Sequence, residues 1–305
     1  MKILFAGTPQ TAADVLAELV SSGHDIVSVL TREDAPVGRK RVITASAVAQ
    51  VAESLGIPVI KANRISESTR ELINKSGAEL GVIVAYGVIL DRASLDCLNE
   101  GWFNLHYSLL PKYRGAAPVQ WAIKNGDKET GITLFKLDEG MDTGEILGSL
   151  PVIIESTETS GELLHRLNNL AISLLNQELP KIYNSQATFA KQIGEPSLAP
   201  KPSREMARIS FQENSEVIAN LVRAMNPEPM AWCNYKGEPF RMIRSRVAVA
   251  SSDSVPGTVQ LVAGKVLVAC GNQTALELLE VQPSSKTVMP AIDWFRGFDQ
   301  REILL

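Results

Sequence analysis

The stretch LGVIVA at Leu80–Ala85 is a near-continuous apolar run, and it decides the fold class. A strand that is covered on both faces of a parallel sheet has this composition. Similar short runs occur at Ile3–Ala6 and Ile26–Leu30, and each is followed by a helical pattern, over Ala12–Val20 and Ala45–Leu55. Because strands that alternate with helices are typical of βαβ units, we expect a Rossmann-like α/β domain with a mostly parallel sheet.

The pattern changes towards the C-terminus. Residues 194–203 contain three prolines, which indicates a stiff, extended linker. After one more predicted helix, at Ser215–Met225, the chain alternates between short strands and turns, with Gly264 at a hairpin-like turn. Closely spaced short strands predict a small, OB-like β-barrel. The predicted division is a first domain at 1–188, a linker at 189–207 and a C-terminal β-barrel at 208–305.

The composition excludes several classes of protein. The chain has 305 residues, of which 45% are hydrophobic and 21% charged, as in a two-domain globular protein rather than a disordered or fibrous one. No apolar run approaches the roughly 20 residues of a membrane-spanning helix, so we expect no membrane contact. The three cysteines are widely separated and give no disulfide framework, which favours the cytoplasm.

Cofactor motifs are missing. The first strand leads into GTPQT at Gly7–Thr11, which is not the glycine-rich loop of a dinucleotide fold, and the chain has no P-loop. The three histidines do not have the spacing of metal ligands, so we expect no metal. The net charge is −4, but RMIRSR at Arg241–Arg246 lies in a slightly basic C-terminal part. That cluster fits a polyanionic partner, although such clusters are more often solvated surfaces.

Asn104 and His106 are the first candidates for chemistry. In a strand both side chains point to one face, which brings an amide donor and an imidazole together. This pair suits a reaction in which negative charge develops on a carbonyl oxygen while a proton moves near neutral pH. The alternative is a histidine at a strand end that is simply hydrogen-bonded, and the pair alone favours this alternative.

Two nearby loops have similarly open interpretations. SLLP at Ser108–Pro111 could line a pocket for a flat ring or could be ordinary core packing. The acidic loop DEGMDTG at Asp138–Gly144 could bring a carboxylate to His106, or it could be solvated.

Longer motifs add a resemblance. NLHYSLLPKYRGAAP at Asn104–Pro118 resembles the signature of the formyltransferases that use 10-formyltetrahydrofolate. Phe5–Pro9, Ala85–Leu90 and Met141–Gly144 have the order and spacing of that family. Over essentially its whole length the chain is similar to the branch that formylates initiator Met-tRNA, including a C-terminal β-barrel after Leu221–Pro229. Tyr107 departs from the pattern, since the family more often has a small residue there.

The resemblance implies direct transfer of the formyl group, with no covalent enzyme intermediate. Asn104 is expected to donate to the oxyanion, His106 to share that role or to move protons, and Asp142 to orient His106 and relay a proton. The residues expected to bind 10-formyltetrahydrofolate are Tyr86, Gly87, Val88, Leu90, Ser108, Leu109, Leu110 and Pro111.

The resemblance also implies partners. Arg39, Lys40 and Arg41 occupy a shortened basic loop that in the family contacts the acceptor stem of initiator Met-tRNA. The residues expected to add phosphate contacts from the barrel are Arg241, Arg244 and Arg246. We expect a monomer. Rival interpretations are a sugar-nucleotide N-formyltransferase, a glycinamide ribonucleotide formyltransferase, whose chain usually ends near the first domain, and a non-catalytic folate- or RNA-binding module.

Overall fold

The structure, a computed structural model, describes residues 1–38, 40–249, 253–299 and 302–305. These residues form two compact units, each discontinuous in sequence. The first unit consists of Met1–Ala116, Gly131–Val152 and His165–Leu198; the second consists of Ala117–Thr130, Ile153–Leu164 and Ala199–Leu305.

The strands have the following bounds. In chain order they are β1 (Lys2–Gly7), β2 (Asp25–Thr31), β3 (Ala35–Val37), β4 (Val42–Thr44), β5 (Val59–Lys61), β6 (Leu80–Val84), β7 (Gly101–His106), β8 (Glu129–Lys136), β9 (Ile146–Ile153), β10 (Trp232–Tyr235), β11 (Glu238–Val247), β12 (Val259–Val262), β13 (Lys265–Ala269), β14 (Ala275–Gln282) and β15 (Met289–Pro290).

The helices are α1 (Gln10–Ser21), α2 (Ala47–Ser54), α3 (Glu67–Lys75), α4 (Arg92–Leu95), α5 (Pro118–Lys124), α6 (Ser160–Tyr183), α7 (Ser215–Ala224) and α8 (Ala291–Phe295), with a 3₁₀ turn at Glu205–Ala207. Within the described ranges, no helix combines the length and the apolar character that crossing a membrane requires.

The first unit is built on a seven-stranded sheet with the order β5-β2-β1-β6-β7-β8-β9. The pairs from β5 to β7 are parallel, and β8 runs antiparallel to β7. The central strands β1 and β6 are buried along nearly their whole length, as expected when helices cover both faces of a parallel sheet. The predicted Rossmann-like, mostly parallel sheet is confirmed.

A glycine lets β7 pack against its neighbour near the site. Gly81 on β6 is paired with Trp102 on β7, and a Cβ built on Gly81 lies only 2.2 Å from the indole ring. The ring is buried and its Nε1 donates to the Ser94 carbonyl at 2.9 Å. The absence of a side chain at Gly81 therefore leaves the space that the indole occupies next to the cavity described below.

The second unit has an antiparallel sheet with the order β10-β11-β14-β13-β12, and β15 also pairs with β14. The sheet is curled as a half-barrel, which confirms the predicted C-terminal β domain. The turn between β12 and β13 uses Ala263 and Gly264, both with positive φ, as a tight hairpin requires. The core of the second unit includes an aromatic cluster of Tyr235, Phe240 and Trp294.

The predicted division into a first domain, a linker and a barrel stays a prediction. It divides the chain into consecutive segments, whereas the two observed units are defined by contacts in space and are each discontinuous in sequence. Helix α5 illustrates the difference. It packs against α7, so its residues belong to the second unit although they precede most of the first unit's C-terminal part.

Candidate active site

The carboxyl end of β7 carries two of the predicted reacting groups. Side chains alternate along a strand, so Trp102, Asn104 and His106 share one face of β7. His106 is 5% exposed, and Asn104 is half-buried. In the part of the chain that the structure describes, the Asn104 side-chain amide has no hydrogen-bond partner. Its N–H groups are therefore free to donate to a bound molecule.

The two ring nitrogens of His106 have different surroundings. Nε2 lies 2.8 Å from the Tyr113 carbonyl oxygen, and Nδ1 lies 3.8 Å from Oδ2 of Asp142. Because a carbonyl can only accept, Nε2 carries the proton and Nδ1 has the lone pair in the neutral ring. Burial holds the pKa of His106 below its ordinary value, although the Asp142 carboxylate and the Tyr113 carbonyl act in the opposite direction.

Asp142 reaches the histidine from the loop between β8 and β9. Its backbone has a φ of 54°, and its Oδ2 accepts a hydrogen bond from the Gly115 backbone N–H at 2.6 Å. The neighbouring Asp138 closes the loop on itself, because its Oδ1 accepts from Gly140 N–H and from the Thr143 hydroxyl. The structure thus separates the two aspartates. Asp142 faces His106, and Asp138 orders the loop.

The predicted Ser108–Pro111 contacts lie directly after His106. The Ser108 hydroxyl donates to the Lys112 carbonyl at 2.6 Å, and the Thr133 hydroxyl donates to the Ser108 carbonyl at 2.6 Å. Leu110 and Pro111, which are joined by a cis peptide bond, are buried, and Leu109 is half-buried. These side chains are largely used by the fold, so the turn holds the end of β7 in place.

The predicted contacts at Tyr86–Leu90 form the loop after β6. The Tyr86 ring is buried, its hydroxyl donates to the Ala62 carbonyl at 2.8 Å, and burial raises the pKa of Tyr86 to about 12. Leu90 is also buried, Val88 is half-buried, and Gly87 is exposed with a φ of 78°. The tyrosine and leucine side chains therefore anchor the loop in the core.

A cavity of about 770 Å³ opens beside this loop, and the eight predicted folate contacts are not among its lining residues. Its lining begins at Arg92, just after Leu90, and ends at Gly140, just before Asp142. Part of this lining was visible in the sequence, because Asp138, Glu139 and Gly140 belong to the predicted acidic loop, whereas the residues from Arg92 onwards follow the predicted Tyr86–Leu90 contacts. The lining residues are Arg92, Leu95, Asp96, Leu98, Asn99, Gly101, Trp102, Lys136, Leu137, Asp138, Glu139 and Gly140.

Tyr107, the departure from the family pattern, is accommodated on the other face of the strand end. Its hydroxyl donates to Oδ1 of Asn168 at 2.5 Å, and the Asn168 amide donates to the Thr11 carbonyl at 3.1 Å. Burial raises the pKa of Tyr107 above its ordinary value. The larger side chain thus ties β7 to α6 and to the start of α1, and it does not enter the Asn104 face.

The basic loop forms an antiparallel hairpin of β3 and β4. Lys40 and Arg41 lie at its turn and are exposed, and Arg41 has a φ of 50°. Arg39 lies outside the described residues. Val42 and Ile43 on β4 are also exposed, so the hairpin presents apolar and basic groups together.

The three predicted arginines of the second unit are not equivalent. Arg246 makes a bidentate pair with Glu277 at 2.7 and 2.9 Å. Arg244 pairs with Glu162 and approaches Glu280 at 3.8 Å. Arg241 has a neutral partner, because its Nη1 donates to Oε1 of Gln282 at 2.9 Å.

Two further arginines, which sequence reasoning missed, surround Trp232. The guanidinium carbons of Arg204 and Arg208 lie 5.0 and 5.6 Å from the centre of its ring. Arg241 is directly opposite Trp232 in the β10–β11 register. Among the described residues, none of these three exposed arginines forms an ion pair. We call Arg204, Arg208, Trp232 and Arg241 the Trp232 cluster. In the sequence, the feature that could have indicated it is the pair of arginines on either side of the 3₁₀ turn.

Known proteins match both parts of the chain. The family model for formyl transferases matches residues 1–179, and the model for the formyl transferase C-terminal domain matches residues 201–299. The methionyl-tRNA formyltransferase of Renibacterium salmoninarum is 42% identical over 97% of this chain and 96% of its own length. That of Paenarthrobacter aurescens is 44% identical over 97% of each chain.

A solved structure supports the fold independently. The N-formyltransferase of Helicobacter canadensis, in complex with folinic acid and dTDP-3-aminofucose, superposes with a TM-score of 0.69 at 19% identity, covering 93% of this chain and 99% of that one. Together with the matches in sequence, this shows that the chain belongs to the formyl transferase family, in the branch of the methionyl-tRNA formyltransferases.

Proposed function

We propose that this protein transfers the formyl group of 10-formyltetrahydrofolate to the α-amine of methionine on initiator Met-tRNA. The observation that carries the proposal is the approach of Asp142 to His106 at the end of β7, with Asn104 on the same face of the strand, in a chain whose relatives bear the name methionyl-tRNA formyltransferase. A module that only binds folate or RNA has no need of a buried imidazole with a carboxylate 3.8 Å from its one free nitrogen.

The three side chains divide the reaction between them. The Asn104 amide donates to the formyl oxygen as negative charge develops on it. His106 is neutral near pH 7, so its Nδ1 takes the proton released when the α-amine attacks the formyl carbon and returns it to the departing folate nitrogen. The Asp142 carboxylate stabilises the imidazolium in between, since it faces the nitrogen that becomes protonated.

The cavity beside β7 suits the folate. Trp102, Asn104 and His106 share one face of β7, and Trp102 is among the residues that line the cavity, so a ring bound there lies on the side of the strand that carries the reacting groups. The cavity combines apolar side chains, such as Leu95 and Leu137, with polar ones. A pterin ring has apolar faces and hydrogen-bonding edges, so this lining fits it. The loops at Tyr86–Leu90 and Ser108–Pro111 do not line this cavity, so their backbone groups are proposed to contact the parts of the folate that extend beyond it.

Exposed basic groups are proposed to bind the tRNA. Lys40 and Arg41 on the hairpin, with Arg39 beside them in sequence, supply cations for the acceptor stem. In the second unit the Trp232 cluster offers three arginines without carboxylate partners and an aromatic ring, a combination that binds phosphates and stacks on bases. Arg244 and Arg246 already pair with Glu162 and Glu277, so each would have to weaken that ion pair in order to bind a phosphate.

We also propose that the protein works as a monomer in the cytoplasm. All of the proposed reacting groups come from one chain, which fits a working monomer, and light scattering of the purified protein checks this. Cys97, Cys233 and Cys270 are free thiols, which fits a reducing cytoplasm.

The test of the proposed function is a comparison of acceptors. The purified protein is supplied with 10-formyltetrahydrofolate and either initiator Met-tRNA or an amino-sugar nucleotide, and formylated product is counted. We expect transfer to Met-tRNA only. Transfer to the amino sugar instead would keep the site and overturn the acceptor, and absence of transfer to either would return the chain to the binding-module interpretation.

A further inference from the structure

The segment after α6 supplies a side chain that touches both loops of the candidate site. Gln192 is half-buried, and its amide makes four hydrogen bonds within the first unit. Its Nε2 donates to the carbonyls of Asp142 (2.8 Å) and Gly144 (2.9 Å). Its Oε1 accepts from Nε (3.2 Å) and Nη2 (2.5 Å) of Arg114. Both ends of the amide are thus satisfied in a single orientation, because an arginine can only donate and a carbonyl can only accept.

We propose that Gln192 is a positioning residue, which holds the Asp142 carboxylate against His106 by fastening the acidic loop to the Arg114 loop. The proposal rests on the proposed function only in so far as Asp142 and His106 are taken to act in the reaction.

The Asp142 backbone is the part of the site that most needs holding. Its φ of 54° lies in the left-handed region, which residues other than glycine adopt uncommonly, although aspartate tolerates it better than most. Met141 before it is exposed, so the loop receives little support from the core on that side. Two hydrogen bonds from one side chain to the carbonyls of residues 142 and 144 fix the peptide group after Asp142 and the one after Gly144, and thereby the direction of the carboxylate.

The other end of Gln192 acts on the groups around His106. Arg114 lies between Tyr113, whose carbonyl accepts from His106 Nε2, and Gly115, whose N–H donates to the Asp142 carboxylate. One side chain therefore links the loop that carries the carboxylate to the loop that holds the imidazole. A shift of either loop changes the 3.8 Å separation of Nδ1 and Oδ2.

The segment that carries Gln192 is itself fixed on both sides. Before it, Ala190 exchanges two backbone hydrogen bonds with Ile146, at 2.8 and 2.9 Å. After it, Ser197 accepts from the Tyr113 N–H through its hydroxyl at 2.9 Å and from the Arg114 N–H through its carbonyl at 2.8 Å. Because these bonds do not involve the Gln192 side chain, a substitution there removes the link and leaves the segment in place.

The experiment compares Gln192→Met, which keeps the length of the side chain and loses its hydrogen bonds, with Gln50→Met on the exposed surface of α2 as the matched control. In the transfer assay we expect Gln192→Met to lower kcat by about tenfold to a hundredfold, as for a misplaced catalytic group, with the KM for Met-tRNA changed less than about twofold. Gln192→Asn, which keeps an amide but is one methylene shorter, should lie between. Gln50→Met should match the wild type.

A second readout separates positioning from general stability. The chain has three histidines, so the His106 imidazole can be followed by NMR in the protein alone. Asp142 raises the pKa of His106, so a displaced carboxylate should lower that pKa and move the acid limb of kcat/KM to lower pH. Unchanged kcat and an unchanged His106 signal in Gln192→Met would overturn the proposal. If the wild type fails to formylate Met-tRNA, the proposed function falls, and the NMR comparison still decides the role of Gln192.

Discussion

The end of β7 and the Trp232 cluster show two opposite ways of using polar side chains. At the end of β7 the imidazole is buried, and hydrogen bonds with Ser197 and Gly115 hold its neighbours Tyr113 and Asp142. In the Trp232 cluster the arginines are exposed and have no carboxylate partners among the described residues. A proton transfer needs fixed geometry away from water, whereas a polyanion is recognised by accessible positive charge. Substitutions in the two regions should therefore fail in different ways.

Asn104→Ala should produce the largest effect. Removing one donor to a developing oxyanion typically costs about 10² to 10³ in kcat. Because the Asn104 amide has no partner in the described part of the chain, the free energy of unfolding should change by less than about 0.5 kcal/mol. Steady-state transfer kinetics and chemical denaturation measure the two quantities. A large loss of stability, or a rate close to that of the wild type, would place Asn104 outside the reaction.

Gly81→Ala should damage the cavity through the fold. The new Cβ would lie 2.2 Å from the Trp102 ring, and such overpacking costs about 1–3 kcal/mol of stability. The displaced indole should also raise the KM for 10-formyltetrahydrofolate, with the KM for Met-tRNA unaffected. Gly23→Ala is the control, since nothing lies near a Cβ there, although its positive φ adds a smaller strain. An unaltered folate KM would remove Trp102 from the proposed folate pocket.

Arg204→Gln and Arg246→Gln compare a free arginine with a paired one. The slope of log K against log salt for tRNA binding should fall by about one unit for Arg204→Gln, as when one phosphate contact is lost. Arg246→Gln should leave the slope unchanged, because that guanidinium already pairs with Glu277. The reverse result would mean that Arg246 contacts the tRNA and that the Trp232 cluster does not.

The smallest of the expected effects concerns the buried His106 imidazole, which should make stability depend on pH. The folded state lowers the pKa of His106, so the unfolded chain binds a proton more readily. Stability is therefore fully present above the unfolded value of about 6.5 and declines as pH falls from there through the lowered folded value. His106→Gln should remove this part of the decline, as urea titrations between pH 5 and pH 7.5 can show. An identical decline in the variant would mean that other groups cause it.

The sequence predicted the elements whose periodicity is local. The apolar run at Leu80–Ala85 and the helical patterns after the first strands were enough for the parallel sheet, and Gly264 marked its turn correctly. The period-two argument for Asn104 and His106 also placed both on one strand face. Each of these inferences depends on a few consecutive residues, and the structure confirms the elements themselves.

The long-range contacts could not be predicted in the same way. Gln192 lies 50 residues from Asp142 and 78 from Arg114 along the chain, and no periodicity links them. Likewise the sequence shows RMIRSR as a uniform basic run, whereas the structure pairs Arg244 and Arg246 with carboxylates from other strands and helices. A sequence shows where the charged residues are. Whether a charge is neutralised depends on which helices and strands become neighbours in the fold.

The roles of His106 and Asp142 are tested by formyl transfer from 10-formyltetrahydrofolate to initiator Met-tRNA by the wild type, by His106→Ala and by Asp142→Asn. We predict that the wild type transfers the group and that each variant loses about 10² or more in kcat while it still binds the tRNA, as expected when a general acid–base group is removed. Transfer by both variants at the wild-type rate would show that the chemistry does not depend on His106 and Asp142.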